Sequence, residues 1–273
     1  MIQLYTDSTC CLPRRDASEL GVQIVPISCS VKGRTFLEEY LEESGEFETM
    51  MADHPSDIST SHPPISTFSA MFQPIEQRGG EALCLVLSSR LSGTYSSASI
   101  AAQVSPSGRI RVLDSLTTAG GLHLLLRAAK EKLDEGMSLS DLSEYLLEKR
   151  GHVGIAFSVG DMAALRRSGR LGVVRQSVGT MLNVRPILTL EDGAIKACGI
   201  TRGTAQTLRA LAERIPSQAK AIIVHYQGAM NDPMALVASL RARFPGADIR
   251  VGRISCALRV HLGNDCIGAA WMC

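Results

Sequence analysis

The chain has 273 residues, enough to bury a substantial core in one large domain or two modest ones. Its 28 Lys and Arg residues nearly balance its 27 Asp and Glu residues, so the formal net charge is +1. Nucleic acids and anionic membranes are bound by clustered positive charge, and this balance therefore argues against both as partners. Hydrophobic residues make up 45% of the chain and aromatic residues only 4%. The apolar content is thus aliphatic, which suits an ordinary core and equally the walls of a site for an alkyl chain.

Membrane and secretion signals are absent from the sequence. No stretch approaches the roughly eighteen apolar residues of a membrane-spanning helix, so we expect no integral membrane span. The first nine residues include Asp7 and lack a basic segment followed by an apolar one, which is not typical of a signal peptide. The eight cysteines include the adjacent pair Cys10 and Cys11 but no CxxC spacing. This pattern predicts reduced, mostly buried thiols in a cytoplasmic protein.

The first half of the chain alternates apolar runs with helical patterns. Residues 82–87 form a continuous apolar run, the pattern of a strand that is buried on both faces. Ser138 has the position of a helix N-cap, with Asp141 three residues later. Alternating strands and helices predict right-handed crossovers and a largely parallel sheet. Strands are predicted at residues 2–5, 22–31, 82–87 and 109–113, and helices at residues 65–76, 93–103, 118–135 and 138–149.

The pattern changes after Arg150. Asp192-Gly193 stands between two β-rich runs, which indicates a hairpin. A hairpin within an otherwise alternating pattern favours an α+β fold. Strands are predicted at residues 153–157, 185–190, 194–200, 221–226, 249–255 and 266–272, and helices at residues 162–167, 204–214 and 233–244. We therefore predict an α/β protein with a parallel-sheet N-terminal domain (1–150) and an α+β C-terminal domain (151–273).

The most informative segment is Ser88-Ser89-Arg90-Leu91-Ser92-Gly93-Thr94-Tyr95, which follows a predicted buried strand and opens a helix. Ser92 has the position of an N-cap, and Gly93 lets the backbone approach a ligand closely. A helix N-terminus carries unpaired N–H groups and a partial positive charge, so this segment suits an anion. The alternative is that Ser92 only caps its helix.

A second hydroxyl-rich segment is Thr60-Ser61-His62-Pro63-Pro64. Residues that precede proline avoid the helical region, so this segment is predicted to be extended. A helix follows it. The geometry again suits an anion, and a simple helix cap is an equally good explanation when the segment is considered alone.

These two segments, with Asp7-Ser8-Thr9 after the first strand, resemble the DegV family. Its members carry a Thr-Ser-x-Pro stretch, matched by residues 60–63, and Ser-Ser-x-Leu-Ser-Gly-Thr-Tyr, matched without change by residues 88–95. Other segments are similar to further family motifs, and they occur in the same order along the chain: Asp114-Ser115, Gly169-Arg170-Leu171, Arg185-Pro186-Ile187-Leu188 and Asp192-Gly193.

The resemblance implies two α/β-type domains with a long-chain fatty acid in a tunnel between them. It implies that the carboxylate is bound by the two hydroxyl motifs, at Thr60, Ser61, Ser92 and Gly93. Arg202 and His261 match the residues that support this end of the site in the family. The resemblance further implies a non-catalytic carrier without cofactor or metal, which presents the carboxylate to a separate fatty acid kinase for acyl-phosphate formation.

The sequence also departs from the family pattern. Family members usually have His-x-Gly-Pro-Gly near the C-terminus, whereas this chain has His261-Leu262-Gly263-Asn264-Asp265. A carboxylate at Asp265 would repel a fatty acid anion if it faced the headgroup. His62 stands where the family usually has Gln, and residues 35–39 differ from the family's early aromatic-Asp stretch.

The main alternative from another class is a serine hydrolase that acts on a lipid or acyl ester. Ser92, Asp114, His225 and His261 provide the residue types of a catalytic triad. Against this, Leu91-Ser92-Gly93 is not a G-x-S-x-G nucleophile elbow. A redox role for Cys10-Cys11 is a weaker alternative.

The remaining motifs give little support to other functions. The histidines lack the HExxH spacing of metal ligands, and neither GxxxxGK nor GxGxxG occurs, so neither a metal nor a nucleotide is predicted. Arg166, Arg167, Arg170 and Arg175 form a basic cluster. We interpret this cluster as a solvated face, with a docking patch for a kinase as the alternative.

Overall fold

The computed structural model describes residues 2–41, 45–54, 57–103, 108–160, 162–170, 184–228 and 233–273. Leu171 of the Gly-Arg-Leu motif and Arg175 of the basic cluster lie outside these ranges. Up to residue 152 the strands are β1 (Ile2–Asp7), β2 (Val22–Val25), β3 (Ile27–Val31), β4 (Arg34–Glu38), β5 (Ile58–Ser61), β6 (Glu81–Val86) and β7 (Ile110–Asp114). The helices are α1 (Arg14–Leu20), α2 (Gly45–Asp53), α3 (Ile65–Gln77), α4 (Thr94–Gln103), α5 (Ala119–Asp134) and α6 (Leu139–Lys149).

The rest of the chain adds six strands and four helices within the described residues. The strands are β8 (Val153–Val159), β9 (Val184–Glu191), β10 (Ala194–Arg202), β11 (Ala221–Gln227), β12 (Asp248–Arg253) and β13 (Cys266–Met272). The helices are α7 (Ala163–Ser168), α8 (Gly203–Arg214), α9 (Pro233–Arg243) and α10 (Cys256–Leu262).

The predicted parallel sheet is present, with the strand order β2-β1-β6-β7 and parallel pairing throughout. The apolar run that predicted β6 is buried from Ala82 to Val86, as expected for a strand covered on both faces. The predicted cap of α6 is also confirmed, because Ser138 Oγ accepts a hydrogen bond from the N–H of Asp141 at 3.2 Å. The α/β fold class predicted for this part of the chain is therefore correct.

A three-stranded antiparallel sheet, in the order β4-β3-β5, is the main feature of the first half that the sequence pattern did not predict. The run 22–31 was predicted as one stretch, but Pro26 divides it into β2 and β3, which belong to different sheets. Proline has no N–H to donate to a sheet ladder, which explains the break. In this sheet Glu38 is paired with Ile27, and Thr60 is paired with Cys29.

A mixed six-stranded sheet, in the order β10-β9-β8-β13-β11-β12, is built from the second half of the chain. The predicted hairpin joins β9 to β10, and both Asp192 and Gly193 have positive φ, as a two-residue turn of this kind requires. Only β11 and β12 pair in parallel; the other neighbours are antiparallel. This agrees with the predicted α+β character.

Each half of the chain contributes one helix that packs on strands of the other half. Helix α5 packs on β8, β11 and β13 of the six-stranded sheet, and α10 packs on β3 and β5 of the three-stranded sheet. Gly120 permits the close approach of α5, since a Cβ there would lie 2.9 Å from Ala270 Cβ. The predicted domain boundary falls at a short 3-10 helix, Arg150–His152. Strands before this helix form the first two sheets, and strands after it form the six-stranded sheet. The division into two domains remains a prediction.

Candidate functional site

A cavity partly open to solvent, with about 1040 Å³ of empty space including its open mouth, is lined by residues from both halves of the chain. Most of its wall is aliphatic. Members of the apolar wall include Ile27, Leu87, Leu91, Ile155, Leu165, Leu190, Ile195, Ile254, Leu258 and Leu262. Small residues of β13, Gly268, Ala269 and Ala270, widen the space along the six-stranded sheet. The cavity therefore offers the mainly apolar wall that an alkyl chain requires.

Thr60 and His261 meet in the wall of this cavity. Thr60 Oγ1 lies 2.9 Å from His261 Nε2. Thr60 is carried by the edge strand β5, and its side chain lies on the face of the sheet that α10 covers. Ser61, the next residue, points to the opposite face and is exposed, because successive side chains of a strand alternate. Of the two hydroxyls predicted in this motif, the structure brings only that of Thr60 into the cavity wall.

Ser92 also lines the cavity, immediately before α4. Its Oγ accepts from the N–H of Thr94 at 3.4 Å and lies 2.9 Å from Thr94 Oγ1. Gly93 itself is not part of the lining, but it makes room for a residue that is: a Cβ at Gly93 would lie 3.0 to 3.1 Å from three ring atoms of His62. Ser92 thus contacts the first residue of its helix and also borders the cavity, while its contact with an anion remains a prediction.

His261 is held in its neutral form by the surrounding protein. Burial, together with the smaller effect of the nearby positive charge of Arg170, lowers the pKa of its imidazole to about 4. A neutral imidazole offers one donor and one acceptor. His261 is therefore a polar but uncharged member of the site at neutral pH.

Arg170 lines the cavity, although the sequence predicted a surface position for it. It was assigned to a solvated basic face, yet it lines the cavity, and its Nε donates to the carbonyl oxygen of Leu91 at 3.3 Å. The Gly-Arg-Leu motif that resembles the DegV family was the available signal, but its position gave no reason to join it with Thr60 or His261. The structure thus supplies a cationic side chain beside the polar part of the cavity.

Arg202 is not brought to this cluster. It lies at the end of β10 with an exposed side chain, and its backbone N–H donates to Gln206 Oε1 at 2.6 Å. It is absent from the lining of the cavity, whereas Arg170 is present. The predicted support of the carboxylate by Arg202 remains a prediction that this geometry does not favour.

Asp265 is paired with a cation. Its Oδ2 lies 3.2 Å from Arg185 Nη1, in an ion pair whose side chains are 30% and 11% exposed respectively. Asp265 does not line the cavity. The expected repulsion of a carboxylate depended on Asp265 facing the headgroup, and the ion pair with Arg185 balances its charge instead.

The residues of the hydrolase alternative are engaged in separate contacts. Ser92 Oγ is bonded to Thr94, and His261 Nε2 is bonded to Thr60. Asp114 Oδ1 accepts from the N–H groups of Ser89 and Leu116 at 3.1 and 3.0 Å. His225 Nδ1 lies 3.1 Å from the carbonyl oxygen of Arg253. None of these contacts joins Ser92 to a histidine, or either histidine to Asp114.

Neither a metal-ligand cluster nor a membrane-spanning helix is present in the part of the chain that the structure describes. There, no group of three or more His, Cys, Asp or Glu side chains is arranged to hold a metal ion. None of the helices in the described ranges has the length and apolar character needed to cross a bilayer. All eight cysteines are free thiols, and six of them are buried.

Comparison with known proteins identifies the family. A family model described as "Uncharacterised protein, DegV family" matches residues 1–273. A DegV domain-containing protein of Streptomyces coelicolor is 30% identical over 273 residues, which cover 98% of this chain and 96% of that protein.

Solved structures with the same fold include two whose names state a ligand. A DegV family protein from Thermus thermophilus, named for fatty acid binding, is 30% identical with a TM-score of 0.85, and the match covers 100% of this chain and 99% of that one. A stearic acid-binding protein from Eubacterium ventriosum is 23% identical with a TM-score of 0.89, over 100% of this chain and 98% of that one. The whole-chain match to the family model, together with this fold, shows that the chain belongs to the DegV family.

Proposed function

We propose that this protein binds a long-chain fatty acid in the cavity, which forms a tunnel between the two predicted domains. The observation that carries the proposal is a mostly aliphatic wall that also contains polar residues. These polar residues are Thr9, Thr60, His62, Ser92, Thr118, Arg170, His225 and His261. We assign Thr60, Ser92, Arg170 and His261 to the headgroup as the polar cluster, because Thr60 meets His261 at 2.9 Å and the charge of Arg170 acts on His261. An aliphatic chain with a single anionic end matches both parts of this lining.

The tail supplies most of the affinity in this proposal. A sixteen-carbon chain buries about fourteen methylenes at roughly 0.8 kcal/mol each, or about 11 kcal/mol before the costs of binding. The aromatic content of only 4% leaves the wall mainly aliphatic, which suits a flexible chain. The polar cluster then needs only to fix the orientation of the ligand.

The headgroup is recognised by one cation and neutral hydroxyls. Arg170 provides the charge that a carboxylate requires, and guanidinium groups bind carboxylates with two parallel hydrogen bonds. The hydroxyls of Thr60 and Ser92 add donors. Because the imidazole of His261 is neutral, it orients Thr60 through the contact at 2.9 Å rather than adding a second charge.

The printed names of the relatives support the ligand class. The Thermus thermophilus protein is named for fatty acid binding, and the Eubacterium ventriosum protein for binding stearic acid. The match to each covers nearly the whole of both chains. We extend their ligand class to this chain as part of the proposal, with no cofactor besides the bound fatty acid.

We further infer that the protein is a carrier rather than an enzyme, and that a partner kinase phosphorylates the presented carboxylate. The chain contains neither GxxxxGK nor GxGxxG, the phosphate-binding loops expected of a protein that binds a nucleotide itself. A carrier of this kind acts in the cytoplasm, where ATP and the kinase are available. Its product is an acyl-phosphate on the fatty acid, formed by the kinase.

Native mass spectrometry of the purified protein, with analysis of its organic extract, tests the ligand. We expect one fatty acid per chain, either copurified or taken up from a mixture of fatty acids. A protein that carries none and takes up none would refute the proposal. A fluorophosphonate probe tests the hydrolase alternative in the same sample: labelling of Ser92 would support the hydrolase, and we expect no labelling.

ATP consumption tests the carrier role. The loaded protein should yield acyl-phosphate with ATP only when a bacterial fatty acid kinase is added. Formation of acyl-phosphate without the kinase would contradict the carrier role and leave the binding proposal intact.

A further inference from the structure

Helix α10 carries the polar residue His261 and three apolar residues of the cavity wall, Ala257, Leu258 and Leu262. It has only seven residues. Helices this short are marginal in isolation, so the position of α10 depends on its contacts with the rest of the protein. The contacts at its two ends therefore help to set the position of His261, together with the packing of α10 on α7 and the cap from Ser255.

The three-stranded sheet holds both ends of this helix. At the first residue of α10, the N–H of Cys256 donates to Glu38 Oε2 at 2.6 Å. Near its last residue, His261 meets Thr60 at 2.9 Å. Glu38 is paired with Ile27 and Thr60 with Cys29, two positions apart on β3, so Glu38 and Thr60 lie on the same face of the sheet.

Glu38 is an unusual residue for this location, because its carboxyl group is buried and its side chain is not part of the cavity wall. The residue is only 4% exposed. Buried acidic side chains are rare unless they are paired or hydrogen-bonded, since removal from water costs several kcal/mol or more. A carboxylate at a helix start also complements the partial positive charge of that end.

We propose that Glu38 is a positioning residue for the headgroup site: it fixes the start of α10, so that His261 reaches Thr60 at the cavity wall. This inference rests on the proposed function, because the site it serves is the proposed carboxylate site. Loosening the start of α10 lowers the population of the binding-competent arrangement, and the apparent affinity falls by the same fraction.

The protonation of Glu38 makes this role testable by pH. Burial raises the pKa of Glu38 to about 7, against the lowering effect of hydrogen bonds from Cys256 and Ala257 and of the charge of Arg259. An ionised carboxylate accepts a hydrogen bond about twice as strongly as a neutral group. The cost of burying the charge exceeds this gain, because the pKa is raised. Ionisation above pH 7 therefore favours an arrangement in which a loosened α10 exposes Glu38 to water, and protonation favours the closed arrangement.

The groups that face Glu38 do not titrate in the same range. The neighbouring thiols are Cys11, Cys29 and Cys256, and burial raises the pKa of each well above neutrality. Arg259 carries the facing positive charge, and its guanidinium is also paired with Glu48. Below pH 8, the change in charge around the start of α10 thus comes from Glu38.

The test measures the affinity for a fluorescent long-chain fatty acid between pH 6 and pH 8. We expect the wild-type affinity to rise as the pH falls from 8 to 6, toward that of Glu38→Gln, an amide that imitates the protonated acid. At pH 8, Glu38→Ala, which removes the acceptor of the Cys256 N–H, should bind about fivefold more weakly than wild type. Glu38→Gln should bind no more weakly than wild type, and its profile should lack the wild-type change around pH 7. Protonation of the fatty acid acts on both proteins alike, so the difference between the profiles isolates Glu38.

Controls separate positioning from a general effect on folding. Glu81→Gln alters an exposed glutamate at the start of β6 and should keep the wild-type profile. The imidazole NMR signals of His261 should shift in Glu38→Ala and not in Glu81→Gln. Equal affinities of wild type and Glu38→Ala at pH 8, or unchanged His261 signals in Glu38→Ala, would overturn the inference. Absence of fatty acid binding by the wild type would instead refute the proposed function.

Discussion

A hydrogen bond joins Thr60 Oγ1 to His261 Nε2 at 2.9 Å, although the two residues are 201 positions apart in the sequence. Thr60 comes from an edge strand of the three-stranded sheet, and His261 from a short helix that follows the six-stranded sheet. The contact closes one part of the cavity wall where Ser92 and Arg170 also lie. It thus links the two halves of the chain at the proposed carboxylate site.

Replacing Thr60 by Val removes this hydroxyl with little change in volume. We expect fatty acid affinity to fall by about 1 to 3 kcal/mol, because a donor to a charged group is lost. Ser61→Ala is the matched control, since Ser61 is exposed on the opposite face of β5. Equilibrium titration with stearate measures both variants. Equal losses in the two variants would contradict the assignment of Thr60.

Arg170 lines the cavity, whereas Arg202 is the arginine that the family resemblance suggested for the headgroup site. Substituting each of them tests which one binds the carboxylate. Arg170→Gln should weaken fatty acid binding by about 1.5 to 3 kcal/mol, the usual value of a hydrogen bond to a charged group. Arg202→Gln should change ligand affinity little, because Arg202 is exposed outside the cavity. The same titration decides between them. A larger loss for Arg202→Gln would restore the prediction made from the sequence.

Gly120 tests the packing of α5 on the six-stranded sheet. In Gly120→Ala, the new methyl group would lie 2.9 Å from Ala270 Cβ and 3.1 Å from Ile223 Cβ. Alanine favours a helix over glycine by about 1 kcal/mol, but overpacking against these buried neighbours costs about 1 to 3 kcal/mol. We therefore expect a net decrease in the free energy of unfolding, measured with urea.

Gly151→Ala is the control for this substitution, because no atom lies within 4 Å of a Cβ there. It should change stability little. A stabilised Gly120→Ala would mean that α5 does not lie against Ala270.

His225 gives a prediction about acid stability. Burial lowers the pKa of its imidazole from 6.5 to about 4, so the unfolded chain binds the proton more tightly. Stability should therefore fall as the pH drops from 6.5 to 4, by about 3 kcal/mol for this residue at 1.36 kcal/mol per pH unit. Glu38 has the opposite effect on stability, because burial raises its pKa from 4.5 to about 7. Its contribution to stability is present at pH 4.5 and is lost as the pH rises to 7.

Comparing the pH dependence of stability in wild type and His225→Gln isolates the contribution of His225, because Glu38 is present in both proteins. Unfolding of ligand-free His225→Gln, followed from pH 6.5 to pH 4, should show a smaller loss of stability than wild type. The exposed His152 serves as control, and His152→Gln should behave as wild type. Identical slopes for wild type and His225→Gln would contradict a buried neutral imidazole.

The sequence predicted the parallel sheet well because its apolar runs are continuous. Residues 82–87 and the Asp192-Gly193 hairpin carry strong local signals, and both were confirmed. The three-stranded sheet was not predicted, since β4 is largely exposed and β5 is rich in hydroxyls. Short exposed strands lack the alternation on which prediction from a pattern depends.

The candidate site was predicted in part for a similar reason. Thr60, Ser92 and His261 were named from motifs, and the structure brings all three to one cavity. Helix α10 was not predicted, and Arg170 was assigned to the surface, because the role of each depends on contacts between distant parts of the chain. Such contacts leave no periodic pattern in the sequence.

A crystal structure of the protein with stearic acid tests the central claim most directly. The account predicts a carboxylate with oxygens about 3 Å from Thr60 Oγ1 and Ser92 Oγ, and a tail that lies along Ile155 and Leu258. A fatty acid bound outside the cavity, or one whose carboxylate lies away from Thr60 and Ser92, would contradict it.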